Sequence, residues 1–272
     1  MWQIGRLPPE FGGSACAQQV HHELTPLLDA TKPDRGLALA VADGHGGERY
    51  DQSHVGSALA VGLALAYCGQ ILPRFRRGEL DNAWLQNELP RRLAQQWKRL
   101  VLSRRDAVSG AQPEPDFVAR HGSTLLGALI ASEGVLVFQI GDGDAVIVTD
   151  QNELLRPVPE RRPLLGTETE SLSQPDAGAV FRVAMLPIPT GRIQLVMLAT
   201  DGIANSFTEP TGFEKFVLDV LHRTANRAVI GYTPGQLVHR TIARCSSFSG
   251  DDVSVALLIN TDGSGEETAT HE

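Results

Sequence analysis

Several apolar runs in this chain stop or start at aspartate. LALAVA runs into Asp43-Gly44, LVMLAT runs into Asp201-Gly202, and VSVALLI follows Asp251 and Asp252 almost directly. A further run, VLVFQI, leads into the Gly-Asp-Gly-Asp stretch that carries Asp142 and Asp144. Short apolar runs bounded by turn residues read as buried strands that deliver polar loops at their ends. Strand ends from distant parts of a chain can converge on one place, although any single Asp-Gly is more often a turn than a ligand.

The other runs extend this pattern. STLLGALIA, AVIVTD and FRVAML are short, apolar or alternating, and separated by Gly, Asp, Asn and Pro, as antiparallel strands and hairpins require. Asp142 and Asp144 are expected in a Gly-rich hairpin. Ser53 is placed to cap HVGSALAVGLALAYC, a helix apolar nearly all round that should close before Gly69. Leu85, Leu89, Leu93, Trp97 and Val101 recur at every fourth position and mark a second helix, which Pro90 should kink or restart. Two more helices are expected, one from Gly212 to about Asn226 and one after Thr233-Pro234. The expected fold is α+β: one layered domain over residues 1–260, with helices covering a pair of packed sheets and a polar tail at 261–272 expected to fray.

Composition narrows the partners. A formal net charge of -8 disfavours nucleic acid, whose phosphates call for excess Lys and Arg. Cys16, Cys68 and Cys245 form no C-x-x-C pair, so no zinc knuckle or redox motif is indicated. The opening residues lack the basic start and apolar core of a signal peptide, and the expectation is a cytoplasmic, monomeric protein without membrane contact. No apolar run is read as long enough to span a bilayer. One basic island stands out, with nine Lys/Arg against three Asp/Glu from Arg74 to Arg105. It reads first as the wet face of the second helix, and as a docking surface for an acidic partner second.

Hard divalent cations such as Mg²⁺ and Mn²⁺ take several oxygen ligands, which carboxylates supply together with charge. His45 and the Gly46-Gly47 pair directly after Asp43-Gly44 single out one of the aspartate loops. Glycines let backbone pass close to metal or phosphate, and an imidazole beside a ligand can protonate a leaving group. Taken in order, DGHGG at 43–47, GST at 122–124, GDGDA at 141–145, ATDG at 199–202 and DDVSV at 251–255 resemble the PPM (PP2C-type) phosphatase family. The similarity runs from about residue 2 to residue 260. LGTETESL at 165–172 is similar to the compact bacterial branch.

The resemblance implies a four-layer α-β-β-α sandwich with a binuclear Mn²⁺ or Mg²⁺ site at one edge, acting on phosphoserine and phosphothreonine in proteins. It implies that Asp43 bridges both cations and that Gly44 adds its backbone carbonyl. Asp201 and Asp251 complete the second cation, Asp142 helps to hold a weaker third, and His45 is the general acid. Two cations about 3.5–4 Å apart can activate a shared water in line with phosphorus.

The chain departs from that pattern near its start. In SACAQQVHH, Gln18 and Gln19 stand where the family has an acidic or amide residue and an aspartate, and Ser14 stands near the phosphate-gripping arginine. An amide is a weaker ligand than a carboxylate, so Gln19 is expected to hydrogen-bond a metal-bound water at most. Arg6, Arg35, Arg49 and Arg120 are candidate replacements for the clamp, each with the plainer reading of a solvated surface charge. Asp144 stands where relatives carry arginine, and either joins a third metal or faces water. The alternative to an enzyme is a catalytically impaired pseudophosphatase that binds phosphoproteins or partners. A different carboxylate-metal hydrolase acting on small phosphate esters is a third class.

Overall fold

The computed structural model describes residues 2–4, 36–108, 116–159, 169–225 and 253–260. Nine strands and the longer helices among these residues build two antiparallel sheets with helices outside them. The first sheet has the order β1 (Trp2–Ile4), β9 (Val255–Asn260), β8 (Ile193–Ala199), β5 (Asp144–Thr149), β6 (Leu154–Leu155). The second has the order β2 (Leu37–Val41), β3 (Leu125–Ala131), β4 (Gly134–Ile140), β7 (Arg182–Leu186). Each run read from the sequence as a strand is a strand.

Alternation along each strand explains why the runs are almost continuously apolar. In β3, Leu126, Ala128 and Ile130 face the other sheet while Leu125, Leu129 and Ala131 face helices. In β8, Val196 and Leu198 face the other sheet while Leu195, Met197 and Ala199 face the opposite way. Both faces are therefore buried, and side chains of period two pack into separate apolar layers. Helices α1 (Ser53–Arg76) and α2 (Leu89–Val108) cover the second sheet, and α5 (Pro210–Ala225) covers the first with Phe213, Phe216, Val217 and Val220. This is the four-layer arrangement expected, with short helices α3 (Ala177–Val180) and α4 (Asp201–Ala204) at its margins.

Three local expectations need correction. Helix α1 does not close at Gly69 but continues through Pro73 to Arg76, and Gln52 rather than Ser53 holds the N-cap position, without a side-chain cap bond. Ile71 and Phe75, buried in the helix–sheet layer, carry the helix past residues that would end an exposed one. At this length α1 is also apolar enough to cross a bilayer, contrary to the reading from sequence, but half of its apolar window is buried and it lies on β2 and β3 as a core helix. Before α2, the Leu89 N–H donates to the Trp84 carbonyl in a π-helical turn (Trp84–Glu88) whose start is capped by Asp81. Pro90, which has no N–H to give, follows as the second residue of α2, and the helical run passes unbroken from the π turn into α2, so the helix does not restart there. Finally, Gly141–Gly143 is not a hairpin, because β4 and β5 belong to different sheets and this stretch carries the chain between them. The helix expected after Thr233-Pro234 and the 261–272 tail lie outside the described residues.

Leu85, Leu89, Leu93, Trp97 and Val101 are all buried, as their spacing requires. The Trp97 indole also donates to the Gly56 carbonyl at 2.9 Å, locking α2 onto α1. Trp97→Ala should cost about 3–5 kcal/mol through cavity formation, read as a lower midpoint in urea unfolding. A near-native midpoint would show that this contact does not hold the helical layer.

Candidate functional site

Antiparallel register decides where the aspartates go. Val41, near the end of β2, pairs with Leu126, and Leu125 at the start of β3 pairs with Ile140 at the end of β4. In the other sheet, Asp144 at the start of β5 pairs with Ala199 at the end of β8, which pairs with Val255 at the start of β9. The link through Gly141–Gly143 joins the two sets of ends. Asp43, Asp142 and Asp201 thus emerge at one rim of the sandwich, beside the end of β9 toward which Asp251 leads.

The backbone of Asp43 is held on both sides by Ser123 and Thr124. Its N–H donates to Thr124 Oγ1 at 2.9 Å, and its carbonyl accepts from the Thr124 N–H at 2.8 Å and from Ser123 Oγ at 2.9 Å. Gly44 then bridges to Ser123, and the His45 N–H donates to the Gly122 carbonyl at 3.0 Å. The glycines are needed for close approach. A Cβ on Gly44 would stand 2.9 Å from Ser53 at the start of α1, and one on Gly122 would stand 2.7 Å from His45 Cδ2 and 2.9 Å from the Tyr50 ring.

His45 packs its ring edge-on to Tyr50, with centroids 5.1 Å apart. Its Nε2 is buried without a hydrogen-bond partner among the described residues. Burial lowers its pKa from the ordinary imidazole value, while the nearby Asp142 carboxylate opposes that shift. A Cβ on Gly141 would stand 2.5 Å from Thr124 Cγ2, and Thr124 holds the Asp43 backbone, so the inter-sheet link lies beside the DGHGG loop. Asp142 accepts from Thr169 Oγ1 at 2.8 Å.

Asp201 is the first residue of α4, directly after β8, and its carboxylate accepts from Asn205 Nδ2 at 3.1 Å. The Thr200 N–H donates to the Ser254 carbonyl and the Ser254 N–H donates to Thr200 Oγ1, both at 2.9 Å, tying the ends of β8 and β9 together. Asp251 and Gln19 lie outside the described residues.

The chemistry of the donors, which are carboxylates and main-chain carbonyls, fits a hard divalent cation. Among the described residues no three Asp, Glu, His or Cys side chains form a ready-made ligand group. Asp43, Asp142 and Asp201 are present at the rim, and the expected further carboxylate, Asp251, is the one not described.

The protein phosphatase 2C profile matches residues 23–237, most of the chain. The chain belongs to the protein phosphatase 2C family. Its fold is that of known phosphatase structures: a bacterial serine phosphatase bearing an R161K mutation aligns with a TM-score of 0.56 at 12% identity, over 97% of each chain. The Mycobacterium tuberculosis serine/threonine phosphatase PstP/Ppp aligns at 0.51 and 18% identity, over 89% of this chain and 96% of that one. A C. elegans sex determining protein gives 0.56 at 18% identity, over 95% of this chain but only 64% of its own length. Comparison with curated proteins gives no match.

Within this phosphatase 2C fold, three other charged side chains singled out from the sequence have neighbours of their own. Asp144 is half-buried. It is paired with Arg156, whose guanidinium also lies 5.1 Å from the Phe213 ring centroid. Burial raises the Asp144 pKa against the opposing pull of Arg156. Arg120 lies at the surface, as read, and donates to both Asp51 oxygens at 2.7 and 2.6 Å. Arg49 lies over Tyr50, with 5.7 Å from its guanidinium carbon to the ring centroid. Arg6 and Arg35 are outside the described residues. Tyr50, Thr169, Thr200, Gln139 and Arg182 were not singled out from the sequence, though Gln139 interrupts an otherwise apolar run and could have been noticed for that.

Thr124→Val keeps the shape but leaves the Asp43 N–H without its acceptor. A stability loss of about 1–3 kcal/mol is expected, measured by urea unfolding. An unchanged midpoint would mean that the Asp43 loop does not depend on this bond.

Proposed function

We propose that the protein is a cation-dependent phosphoserine/phosphothreonine phosphatase, its reaction carried by the rim of the sandwich. The observation that carries the reading is the arrival of Asp43, His45, Asp142 and Asp201 at that one rim from separate strand ends. The membership in the phosphatase 2C family gives the substrate class.

In this reading Asp43, Asp201 and Asp251 hold a pair of Mn²⁺ or Mg²⁺ ions, with the Gly44 carbonyl as a further ligand and Asp142 serving a weaker third. When bound, such ions supply an activated water and offset charge on the phosphoryl oxygens. The protein's own part is to fix its ligands and to move a proton. Ser123 and Thr124 hold the Asp43 backbone so that its carboxylate is aimed before any substrate arrives, which lowers the cost of ordering it later.

His45 Nε2 donates a proton to the departing serine or threonine oxygen. The absence of a competing hydrogen-bond partner among the described residues leaves that atom available to the substrate. Burial favours the neutral ring, which makes the protonated form a stronger acid toward the leaving oxygen, while the Asp142 carboxylate keeps the proton within reach.

A phosphoserine or phosphothreonine peptide assayed with rising Mn²⁺ tests this reading. Phosphate release should depend on the cation, stop in EDTA, and fall on the order of 100-fold in Asp201→Asn, since ligand and cation contribute several kcal/mol. No release at any Mn²⁺ concentration, with phosphopeptide binding intact, would instead identify a pseudophosphatase. Preference for nucleotides or sugar phosphates would identify another class of hydrolase.

A further inference from the structure

The link between the sheets is gripped by two side chains that no motif marks. Gln139 and Arg182 are Cα partners across β4 and β7. Gln139 is only 2% exposed, and its Nε2 donates to the carbonyls on both sides of Asp142, to Gly141 at 3.1 Å and to Gly143 at 2.5 Å. Arg182 donates to the same Gly141 carbonyl. The guanidinium also faces the Glu170 carboxylate at 3.5 Å and reaches the Pro159 carbonyl at 3.4 Å.

The bonds continue from there to the other side of the site. Thr169, beside Glu170, donates its hydroxyl to Asp142 Oδ2 at 2.8 Å. Ser171 Oγ accepts from the Ser123 N–H at 3.2 Å, and the Leu172 N–H donates to the Ser123 carbonyl at 2.9 Å. Ser123 in turn holds Asp43. One path of bonded residues therefore joins Arg182, Asp142 and Asp43.

We propose that Arg182 and Gln139 are positioning residues that, together with Thr169, orient the Asp142 carboxylate for a cation. This inference rests on the cation-dependent reading above. Stability alone is a poor reason for the arrangement, because a buried Arg–Glu pair is often replaceable by apolar residues without loss. Holding the carbonyls on each side of an anionic side chain restricts its direction before a cation arrives. The Thr169 hydroxyl occupies one oxygen of the Asp142 carboxylate. Residues that orient metal ligands in this manner influence affinity without touching the ion.

Calorimetric titration of the full chain with Mn²⁺ tests the proposal, using Thr169→Val, Arg182→Met and Arg182→Lys. Thr169→Val and Arg182→Met should weaken the weakest Mn²⁺-binding step by about 10–100-fold, leave the tighter steps close to native, and show partial recovery in Arg182→Lys. Hydrogen exchange at the Asp142 and Gly143 amides of the metal-free protein should quicken in Arg182→Met. Native affinities in the variants, or a parallel weakening of every step, would overturn the positioning role. Thr169→Val, which removes a single hydroxyl, decides the matter should Arg182→Met fail to fold. A native protein that binds no Mn²⁺ would remove the cation-dependent reading itself, and this inference with it. Native binding with unaltered variants would remove only the inference.

Discussion

Two sheets buried on both faces leave a carboxylate nowhere to go but the rim. An unpaired charge inside either apolar layer costs more than its strand could recover, so aspartates beside these strands are confined to their ends. Antiparallel pairing then determines which ends are neighbours. Val41, Leu125, Ile140, Asp144, Ala199 and Val255 line up along one side of the molecule, and the Gly141–Gly143 link closes the distance between the sheets. The acidic rim is a consequence of packing and register before it is a matter of chemistry.

Acidic side chains delivered to one rim call for compensation, although among the described residues no three of them gather into one ligand group. Part of it comes from the protein: Arg156 sits on Asp144, and Arg182 faces Glu170 and holds the Gly141 carbonyl. These contacts address the residues around the site more than the carboxylates at its centre. The Asp43 backbone instead bonds a hydroxyl and a backbone amide, and the Asp142 carboxylate accepts from the Thr169 hydroxyl. The same reasoning explains the GST motif, whose Ser123 and Thr124 act as a rigid support for the Asp43 backbone.

Much of the fold was legible because burial on both faces leaves a strong mark. LALAVA, LLGALIA, VLVFQI and LVMLA could be little else than interior strands, and the four-residue recurrence from Leu85 to Val101 gave α2 and its buried face. Helix α1 was misjudged at its end because Gly69 and Pro73 are local stop signals, whereas the burial of Ile71 and Phe75 that overrides them depends on a sheet formed elsewhere. Gly-Asp-Gly-Asp was read as a hairpin for a similar reason. Turn chemistry is the same whether a chain reverses within one sheet or passes to another. Asp43, His45, Asp142 and Asp201 were picked out as candidates from motif order, but the pairings of Asp144 with Arg156 and of Arg120 with Asp51 connect residues with no local relation.

The account depends on cations lying between the carboxylates at the rim. Anomalous X-ray diffraction from crystals grown with Mn²⁺ addresses this most directly. Two peaks about 3.5–4 Å apart, with Asp43 reaching both and Asp201 reaching one, are the expected result. Manganese located elsewhere, or Asp43 and Asp201 turned apart with no ion between them, would contradict it.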